Sequence, residues 1–420
     1  MPRKTHMAAI TALASAFLLS TGLAVPFKLL AIGDSLTDEY GEFPSTVFSG
    51  PDNKNWVELL EQYRPDNFSM GGEASTYVDY RKSGFEYNYG VVGFKAEGWE
   101  ELLYRQYTFS EFLDPENSLD INTRFELKAD LGAVNAVLIF IGGNDLSLAN
   151  DDVKNDEIRF YIGRIHDYVR ANAPANLPII VATVPDIGAT PKEKILDPTL
   201  AAAARARVAT LNANIIADLG IRANTYIARI DHITDRIFDQ VPFQINGTEF
   251  INSFRSDNPP LYLFCRQQFH PSTAPQALIA NEILAAINTF AATPITPFTN
   301  REILSMLPGI NPDQPLIDYI AATPDDGDAL PDLLEYLLGK DPAIPESPFT
   351  FGENGSATYT PNSAALDYAT LTAMESDKLD GTWDPVPLNR LTPAPGGAIT
   401  ILPDPTEPKL FYTLQGQPKP

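Results

Sequence analysis

Short apolar runs alternate with longer helical stretches between residues 27 and 292, and this alternation limits the folds open to the chain more than any other feature. The runs with the length and composition of buried strands are residues 27–32, 66–69, 134–141, 177–184 and 225–230. The stretches with helical spacing are residues 56–63, 156–171, 198–219 and 274–290. Strands that alternate with helices predict an α/β fold with a parallel sheet covered on both faces. Residues 73–122 have many aromatic side chains and no clear period, so we expect an irregular insertion there.

Residues that can do chemistry follow these predicted strands at the points where the strands end. The first strand runs into Gly33-Asp34-Ser35-Leu36, the second into "NFSMGGEAS" (67–75) and the third into "IFIGGNDLS" (139–147). "FHPST" (269–273) places His270 directly before the last predicted helix. Because the carboxyl ends of parallel strands meet at one edge of a sheet, we expect one crevice to collect these residues.

Ser35 has two interpretations. A serine between a strand and a helix is commonly a helix N-cap. As a nucleophile it needs a base within hydrogen-bond reach, and His270 can supply one. Attack on an ester carbonyl creates an oxyanion, for which backbone N–H groups and the Asn144 amide are suitable donors. All these groups lie where predicted strands end or predicted helices begin, which favours the nucleophile.

The four stretches resemble the sequence blocks of the GDSL or SGNH hydrolases, in the order in which that family has them. The matching residues are Gly33-Asp34-Ser35-Leu36, Gly71-Gly72, Gly142-Gly143-Asn144-Asp145 and His270-Pro271. The resemblance covers residues 27 to about 290. It implies a flavodoxin-like three-layer α/β/α sandwich and a serine esterase or lipase activity that needs no cofactor.

Site roles follow from the same resemblance, residue by residue. Ser35 is implied as the nucleophile and His270 as the base. The oxyanion hole is implied to use Ser35, Gly72 and Asn144. Gly72 fits the second block better than Gly71 because it lies five residues after Asn67.

The chain departs from the family pattern three residues before the histidine, where the family usually has an acid and this chain has Gln267. A glutamine can hold an imidazole tautomer by hydrogen bonding, but it cannot stabilise the imidazolium with a full charge. Asp257 is a candidate substitute for the acid. A working serine–histidine dyad is the favoured interpretation, and a non-catalytic binding protein on a decayed hydrolase fold is the alternative.

Net charge limits the classes of substrate and partner, and cysteine content limits disulfides and metal sites. The chain has 30 Lys and Arg against 54 Asp and Glu, a formal net charge of −24, so its surface repels nucleic acid. We expect a neutral or cationic ester instead, either a small molecule or a polysaccharide. The single cysteine, Cys265, excludes an intramolecular disulfide and a cysteine-based metal site, and is interpreted as a buried small residue.

The first 24 residues have the pattern of a secretory signal peptide. Arg3 and Lys4 precede an apolar stretch at residues 7–19, and residues 22–24 are small enough for a cleavage site. The apolar stretch is short for a membrane anchor, and no later segment is long and apolar enough to span. We therefore expect a secreted, periplasmic or cell-surface protein, exported by a bacterium.

Composition changes after residue 290, which predicts three parts: a hydrolase domain at 25–292, a linker with an acidic helical segment at 293–345, and a β-rich accessory module at 346–420. The acidic segment places four residues at calcium-loop positions, namely Asp326, Asp328, Asp332 and Glu335. Pro324 and Ala329 break that template at its first and sixth positions. An acidic helix N-terminus, with no metal, is the favoured interpretation.

An exported, acidic protein with an accessory module is predicted to act on O-acetyl esters of carbohydrates. A lipase or lysophospholipase is the alternative within the same class of enzyme. Neither the acyl length, the alcohol part nor the oligomeric state follows from the sequence.

Overall fold

A computed structural model describes thirteen stretches of the chain, on which all structural statements below rest. They are residues 25–42, 53–146, 152–194, 197–253, 260–314, 332–340, 347–352, 355–363, 365–367, 369–377, 382–394, 397–404 and 411–418.

A parallel sheet forms the centre of the molecule. The strands before residue 251 are β1 Phe27–Gly33, β2 Phe68–Ser69, β3 Glu73–Ala74, β4 Gly84–Phe85, β5 Asn88–Gly90, β6 Ala136–Phe140, β7 Ile179–Ala182, β8 Thr225–Ala228, β9 Phe243–Ile245 and β10 Thr248–Phe250. The sheet order is β2-β1-β6-β7-β8, and every neighbouring pair is parallel. This is the 2-1-3-4-5 order of the flavodoxin-like folds, so the predicted fold class is confirmed.

Helices cover both faces of this sheet. The helices in the described residues, including two that do not pack on this sheet (α3 and α10), are α1 Trp56–Tyr63, α2 Ala96–Tyr104, α3 Phe109–Phe112, α4 Ser118–Asp130, α5 Asp152–Asn172, α6 Pro198–Leu219, α7 Asp231–Asp239, α8 Thr273–Ile287, α9 Asn300–Ser305 and α10 Asp332–Leu338. Leu29 and Ala31 of β1 pack in one apolar cluster with α1, α7 and α8. Leu30 and Ile32 pack in a second cluster with α2, α4, α5 and α6. Successive residues of a strand face opposite sides, so the continuous apolar run of β1 serves both layers.

The segment 73–122 is more regular than the sequence predicts. It contains β3 to β5, α2, α3 and the start of α4. β5 pairs in parallel with the second half of β1, from Ala31↔Asn88 to Gly33↔Gly90. The expectation of an irregular insertion is wrong at this point, because a strand of three residues is too short to leave a periodic pattern.

The residues that follow α8 pack against the α/β core. Ile295, Phe298, Ile303 and Leu304 are buried in the cluster that contains α1 and α8. Arg64 holds this segment by donating from Nε to the carbonyl oxygen of Thr296 (2.7 Å). Residues 295–304 therefore pack as part of the core, although the sequence predicts a linker from 293.

Small antiparallel sheets follow in the C-terminal part. The strands are β11 Thr350–Phe351, β12 Ala357–Tyr359, β13 Ala369–Ser376, β14 Asp384–Pro385, β15 Leu391–Pro393, β16 Ile399–Ile401 and β17 Phe411–Pro418. They form one sheet in the order β11-β12-β16-β15 and another in the order β14-β13-β17. A separate apolar cluster, which includes Leu337, Tyr359 and Ile401, lies among them and α10. The domain boundaries at 292 and 345 stay predictions.

Two further findings concern the described residues only. None of their helices is both long and apolar enough to cross a membrane. No group of three or more His, Cys, Asp or Glu side chains among them is arranged to hold a metal ion.

Candidate active site

Ser35 lies in a tight turn at the carboxyl end of β1. The carbonyl oxygen of Asp34 accepts the N–H groups of Thr37 and Asp38, each at 3.0 Å. Asn55, the N-cap of α1, donates from its amide to the carbonyl oxygens of the same two residues, at 3.0 and 2.8 Å. The turn is thus tied to a helix on one face of the sheet, and Ser35 is held with only 4% of its surface exposed.

His270 is far from Ser35 in sequence but contacts it in the folded chain. Its Nε2 lies 2.6 Å from Ser35 Oγ, although 235 residues separate the two in sequence. The carbonyl oxygen of His270 accepts the N–H of Cys265 (2.8 Å), and the next carbonyl, of Pro271, accepts the Tyr40 hydroxyl (3.1 Å). The two residues predicted as nucleophile and base are therefore within hydrogen-bond reach, as a serine–histidine mechanism requires.

Gln267 is the partner of the second ring nitrogen. Its Nε2 lies 2.8 Å from His270 Nδ1. Its Oε1 accepts the backbone N–H groups of Phe269 and His270, each at 3.3 Å. Gln267 thus bridges its own turn and the imidazole. Asp257, the predicted alternative partner, lies outside the described residues.

Burial keeps the imidazole uncharged. The pKa of His270 is lowered to about 4, chiefly because burial disfavours the charged ring, and secondarily because the ammonium of Lys192 repels it. His270 is therefore neutral at neutral pH, the state in which an imidazole can accept a proton.

Asn144 follows β6 in a 3₁₀ turn, Gly143–Asp145, that begins after Gly142. Gly142 has a φ of 117°, in the left-handed region, and an added Cβ would come within 3.0 Å of the Val184 side chain. The Asn144 amide nitrogen donates to the carbonyl oxygen of Phe94 at 2.9 Å. Its other contact, 3.4 Å to Asp34 Oδ2, is long, so one N–H of the amide is only weakly engaged.

Two carboxyl groups fix the turns around the dyad. Asp34 Oδ1 accepts the N–H of Leu36 (2.9 Å), and Asp145 Oδ2 accepts the N–H of Ala96 (2.9 Å) at the start of α2. Burial raises the pKa of Asp34 to about 7, although the bond from Leu36 opposes it. Asp145, whose own pKa is raised by burial, adds to that rise.

Gly72 is separated from the dyad by a strand. The carbonyl oxygens of Met70 and Gly72 accept the N–H groups of Tyr87 (2.7 Å) and Glu86 (2.8 Å). The Tyr87 carbonyl in turn accepts the N–H of Ala31 in β1 (2.9 Å). Residues 86–90 therefore lie between 70–72 and β1, and the Gly72 N–H points to Glu86 Oε2 at 3.3 Å. This geometry does not support the oxyanion role assigned to Gly72 from the sequence.

Gly93 follows a strand that does lie next to β1. It follows β5, whose Gly90 pairs with Gly33, and the N–H of Val91 donates to the Gly33 carbonyl oxygen (3.2 Å). Gly93 has a φ of 78°, and a Cβ added there would meet open space. Among the described residues its N–H donates no backbone hydrogen bond. The residues "NYGVVG" (88–93) were the available sequence signal, and sequence reasoning missed it.

An apolar cavity opens beside Ser35. Its volume is about 50 Å³, more than the ~10–15 Å³ that one water molecule needs in this measure. Ser35 and Asn144 are among its lining residues, and most of the others are β-branched or aromatic. The apolar ones among these are Ile187, Ile230, Ile233, Ile237, Phe264, Phe269 and Ile279. A surface groove of about 520 Å³ shares Asp186 and Ile237 with this cavity.

Two of the four predicted calcium positions lie in the described residues. Asp326 and Asp328 lie outside the described residues. Asp332 begins α10, and Glu335, on the same helix, is buried. Cys265 is buried as predicted, with Sγ 3.3 Å from the carbonyl oxygen of Pro271.

Comparison with known proteins points to one family. The family model of the GDSL-like lipases/acylhydrolases matches residues 29–283. A solved variant of an acetyl-xylooligosaccharide esterase from Geobacillus Stearmophilus is 16% identical, with 63% of this chain and 95% of that chain covered and a TM-score of 0.33. The psychrotrophic esterase EstA from Pseudoalteromonas sp. is 16% identical, with 63% of this chain and 97% of that chain covered and a TM-score of 0.31. Likeness at these scores says nothing about the substrate of this chain. No curated protein matches it.

Proposed function

This chain belongs to the family of GDSL-like lipases/acylhydrolases and is a carboxylic ester hydrolase, and we propose that it works by acyl transfer through Ser35 and His270. The observation that carries the proposal is the 2.6 Å separation between His270 Nε2 and Ser35 Oγ. The burial of Ser35, the partial burial of His270 and the neutral state of the imidazole support it.

The reaction has two halves. Ser35 Oγ forms a bond to the ester carbonyl carbon while its proton passes to the lone pair on His270 Nε2. The tetrahedral intermediate then expels the alcohol, which takes that proton, and an acyl-enzyme remains. Water, deprotonated by His270 in the same way, attacks the acyl carbon and releases the acid and free Ser35.

The oxyanion is stabilised by three N–H donors, from the backbone of Ser35, the backbone of Gly93 and the side chain of Asn144. Gly93 replaces Gly72 in this set because it follows β5, which pairs with β1, and because its N–H donates no backbone hydrogen bond among the described residues. Donors of this kind act by being held in place before charge develops.

The substrate is an uncharged ester with a short acyl group. The apolar cavity beside Ser35 has room for an acyl group of a few carbon atoms, and the net charge of −24 disfavours anionic substrates. An O-acetyl ester of a carbohydrate, the substrate expected from the sequence, meets both conditions. Lipid esters are the second candidate, because a larger groove shares the lining residues Asp186 and Ile237 with the apolar cavity.

We also retain the proposal that the protein is exported by a bacterium. Its support is the signal-like pattern of residues 1–24, which lie outside the described residues. The C-terminal sheets are proposed as an accessory module that attaches the enzyme to its substrate.

Hydrolysis of p-nitrophenyl acetate by the purified protein tests the mechanism. Ser35→Ala and His270→Ala are expected to abolish turnover and, for the serine variant, labelling by an organophosphonate. Ser305→Ala and His232→Ala are the matched controls, since both residues are exposed and distant in sequence from the dyad motifs. Equal turnover in Ser35→Ala and the unmodified protein would overturn the proposal.

A series of p-nitrophenyl esters from acetyl to dodecanoyl, with acetylated xylan beside it, separates the two substrate classes. A maximum at two to four carbons with activity on the glycan supports the carbohydrate ester. A maximum at eight or more carbons supports the lipid ester.

A further inference from the structure

We infer that Gln267 holds His270 in the tautomer that cannot take the proton of Ser35, so that the site turns over only when the Gln267 amide is inverted. This inference rests on the proposed serine–histidine mechanism. It concerns the one position at which the chain departs from the expected dyad environment.

The backbone decides which way the Gln267 amide points. Oε1 lies 3.3 Å from two N–H donors, those of Phe269 and His270. An amide NH₂ group can only donate hydrogen bonds. In an inverted amide the NH₂ group of Gln267 would face the two backbone N–H groups, and neither of these would have an acceptor. Side-chain amide orientation is assigned from its hydrogen-bond network, and here two backbone donors require the oxygen on their side.

The imidazole tautomer follows from that orientation. The Gln267 NH₂ group lies 2.8 Å from His270 Nδ1, and it can only donate. Nδ1 must therefore carry a lone pair, and the single proton of the neutral ring sits on Nε2. Nε2 then donates to Ser35 Oγ across the 2.6 Å contact and has no lone pair for the serine proton.

Catalysis requires the opposite arrangement. The proton of Ser35 has to move to a lone pair on Nε2, which places the ring proton on Nδ1 and demands an acceptor at residue 267. Inverting the amide brings Oε1 to Nδ1 but removes the acceptor from both backbone N–H groups. The productive state is thus a minor one, and kcat falls with its population.

A carboxylate at this position satisfies all three donors together. Glutamate has the length of glutamine, and both of its oxygens accept, so one can face the backbone pair while the other faces Nδ1–H. In the serine protease triad the reverse change, from acid to amide, lowers kcat about 10⁴-fold through the wrong tautomer.

The surrounding turn has its own support. The N–H of Gln268 donates to the Cys265 carbonyl oxygen (2.6 Å), and the Gln268 carbonyl accepts the N–H of Lys192 (3.2 Å). A change confined to the end of the residue 267 side chain therefore leaves the path of the turn in place.

The tautomer can be read without activity, by ¹⁵N NMR of the histidine-labelled full chain, with the His270 signals identified by their loss in His270→Gln. We expect a protonated Nε2 in the unmodified protein and a protonated Nδ1 in Gln267→Glu. A protonated Nδ1 in the unmodified protein would overturn the inference, whatever the enzyme hydrolyses.

Kinetics give the second readout. Gln267→Glu is expected to raise kcat on p-nitrophenyl acetate by ~10-fold or more, within the ~10⁴-fold range of the triad, with little change in KM. The pH at which kcat/KM of this variant falls on the acid side should be higher than in the unmodified protein, since the carboxylate stabilises the imidazolium. Gln267→Met, which has neither donor nor acceptor, should retain at least the unmodified kcat if it remains folded by thermal melting.

The outcomes separate the two proposals. If Ser35→Ala abolishes turnover while Gln267→Glu has no higher kcat, the mechanism stands and the inference fails. If Ser35→Ala changes nothing, the mechanism fails, while the NMR result still decides the tautomer.

Discussion

The backbone of Gly90 lies against the backbone of Asp38, so that a Cβ added to Gly90 would stand 2.7 Å from the Asp38 Cα and overlap its amide nitrogen. This contact joins β5 to the end of the turn that carries Ser35. Only glycine allows the approach, because every other residue would place a carbon atom inside the turn.

Gly90→Ala is therefore expected to lower both stability and activity. Overpacking of this kind costs roughly 1–3 kcal/mol, and the displaced turn moves Ser35 away from His270. Thermal melting and kcat on p-nitrophenyl acetate measure the two effects. Gly98→Ala is the control, and it is expected to raise the melting temperature. Its Cβ meets nothing within 4 Å, and alanine is the better helix former in α2. Equal melting temperatures for the two variants would contradict the contact.

Asn144→Ala is expected to lower kcat by about 10²–10³-fold, the usual effect of losing one oxyanion donor. KM should change little, since the donor acts mainly on the developing negative charge. Asn122→Ala serves as the control, because its amide also donates to a backbone carbonyl, that of Val78 (2.8 Å), away from the Ser35 turn. A kcat for Asn144→Ala within twofold of the unmodified enzyme would remove Asn144 from the oxyanion hole.

The two candidate glycines can be compared directly. Gly93→Ala forces a side chain into a left-handed conformation, at a cost of roughly 1–2 kcal/mol, and the loop is expected to shift its N–H and lower kcat by ~10-fold or more. Gly72→Ala meets no neighbour within 4 Å and should leave kcat unchanged. The reverse pattern would restore Gly72 as the donor.

The pH profile follows from the lowered pKa of His270. Below about 4 the ring is protonated and cannot accept the serine proton, so kcat/KM should fall as pH decreases through about 4 and stay level up to neutral pH. Folding stability has the same sign from this group: between about 4 and 6.5 the unfolded chain binds the proton more tightly, so the contribution is lost as pH falls through that window. An acid limb near 6.5 or above would indicate a carboxylate next to the ring, and Asp257→Asn would then identify it.

Truncation tests where the α/β core ends. A chain ending at residue 292 loses the buried side chains of Ile295, Phe298, Ile303 and Leu304. Each buried side chain of this size contributes about 1.5–3 kcal/mol, so this chain should melt well below one ending at residue 314. Circular dichroism of the two truncated chains makes the comparison. Equal melting temperatures would support the predicted linker boundary at 293.

The order of elements in the α/β part follows from local patterns. The predicted helix at 198–219 coincides with α6 Pro198–Leu219, because Asp197 caps it and Pro198 suits its first turn. The predicted strand at 134–141 is shortened to Ala136–Phe140, since apolar content extends beyond the paired residues. β5 has no such pattern, and its place in the sheet depends on pairing with β1.

The sequence by itself determined which chemical groups the site has: a serine after the first strand, an asparagine after β6, a histidine before α8 and a glutamine where an acid is usual. Those assignments need only residue identity and local order. Tertiary structure alone decided that β5, the strand leading to Gly93, pairs with the end of β1 that carries the Ser35 turn, and that the Gln267 oxygen faces the backbone while its nitrogen faces His270. The physical reason is that hydrogen-bond partners are set by distance and direction in the folded chain, and neither is encoded in the identity of a single residue.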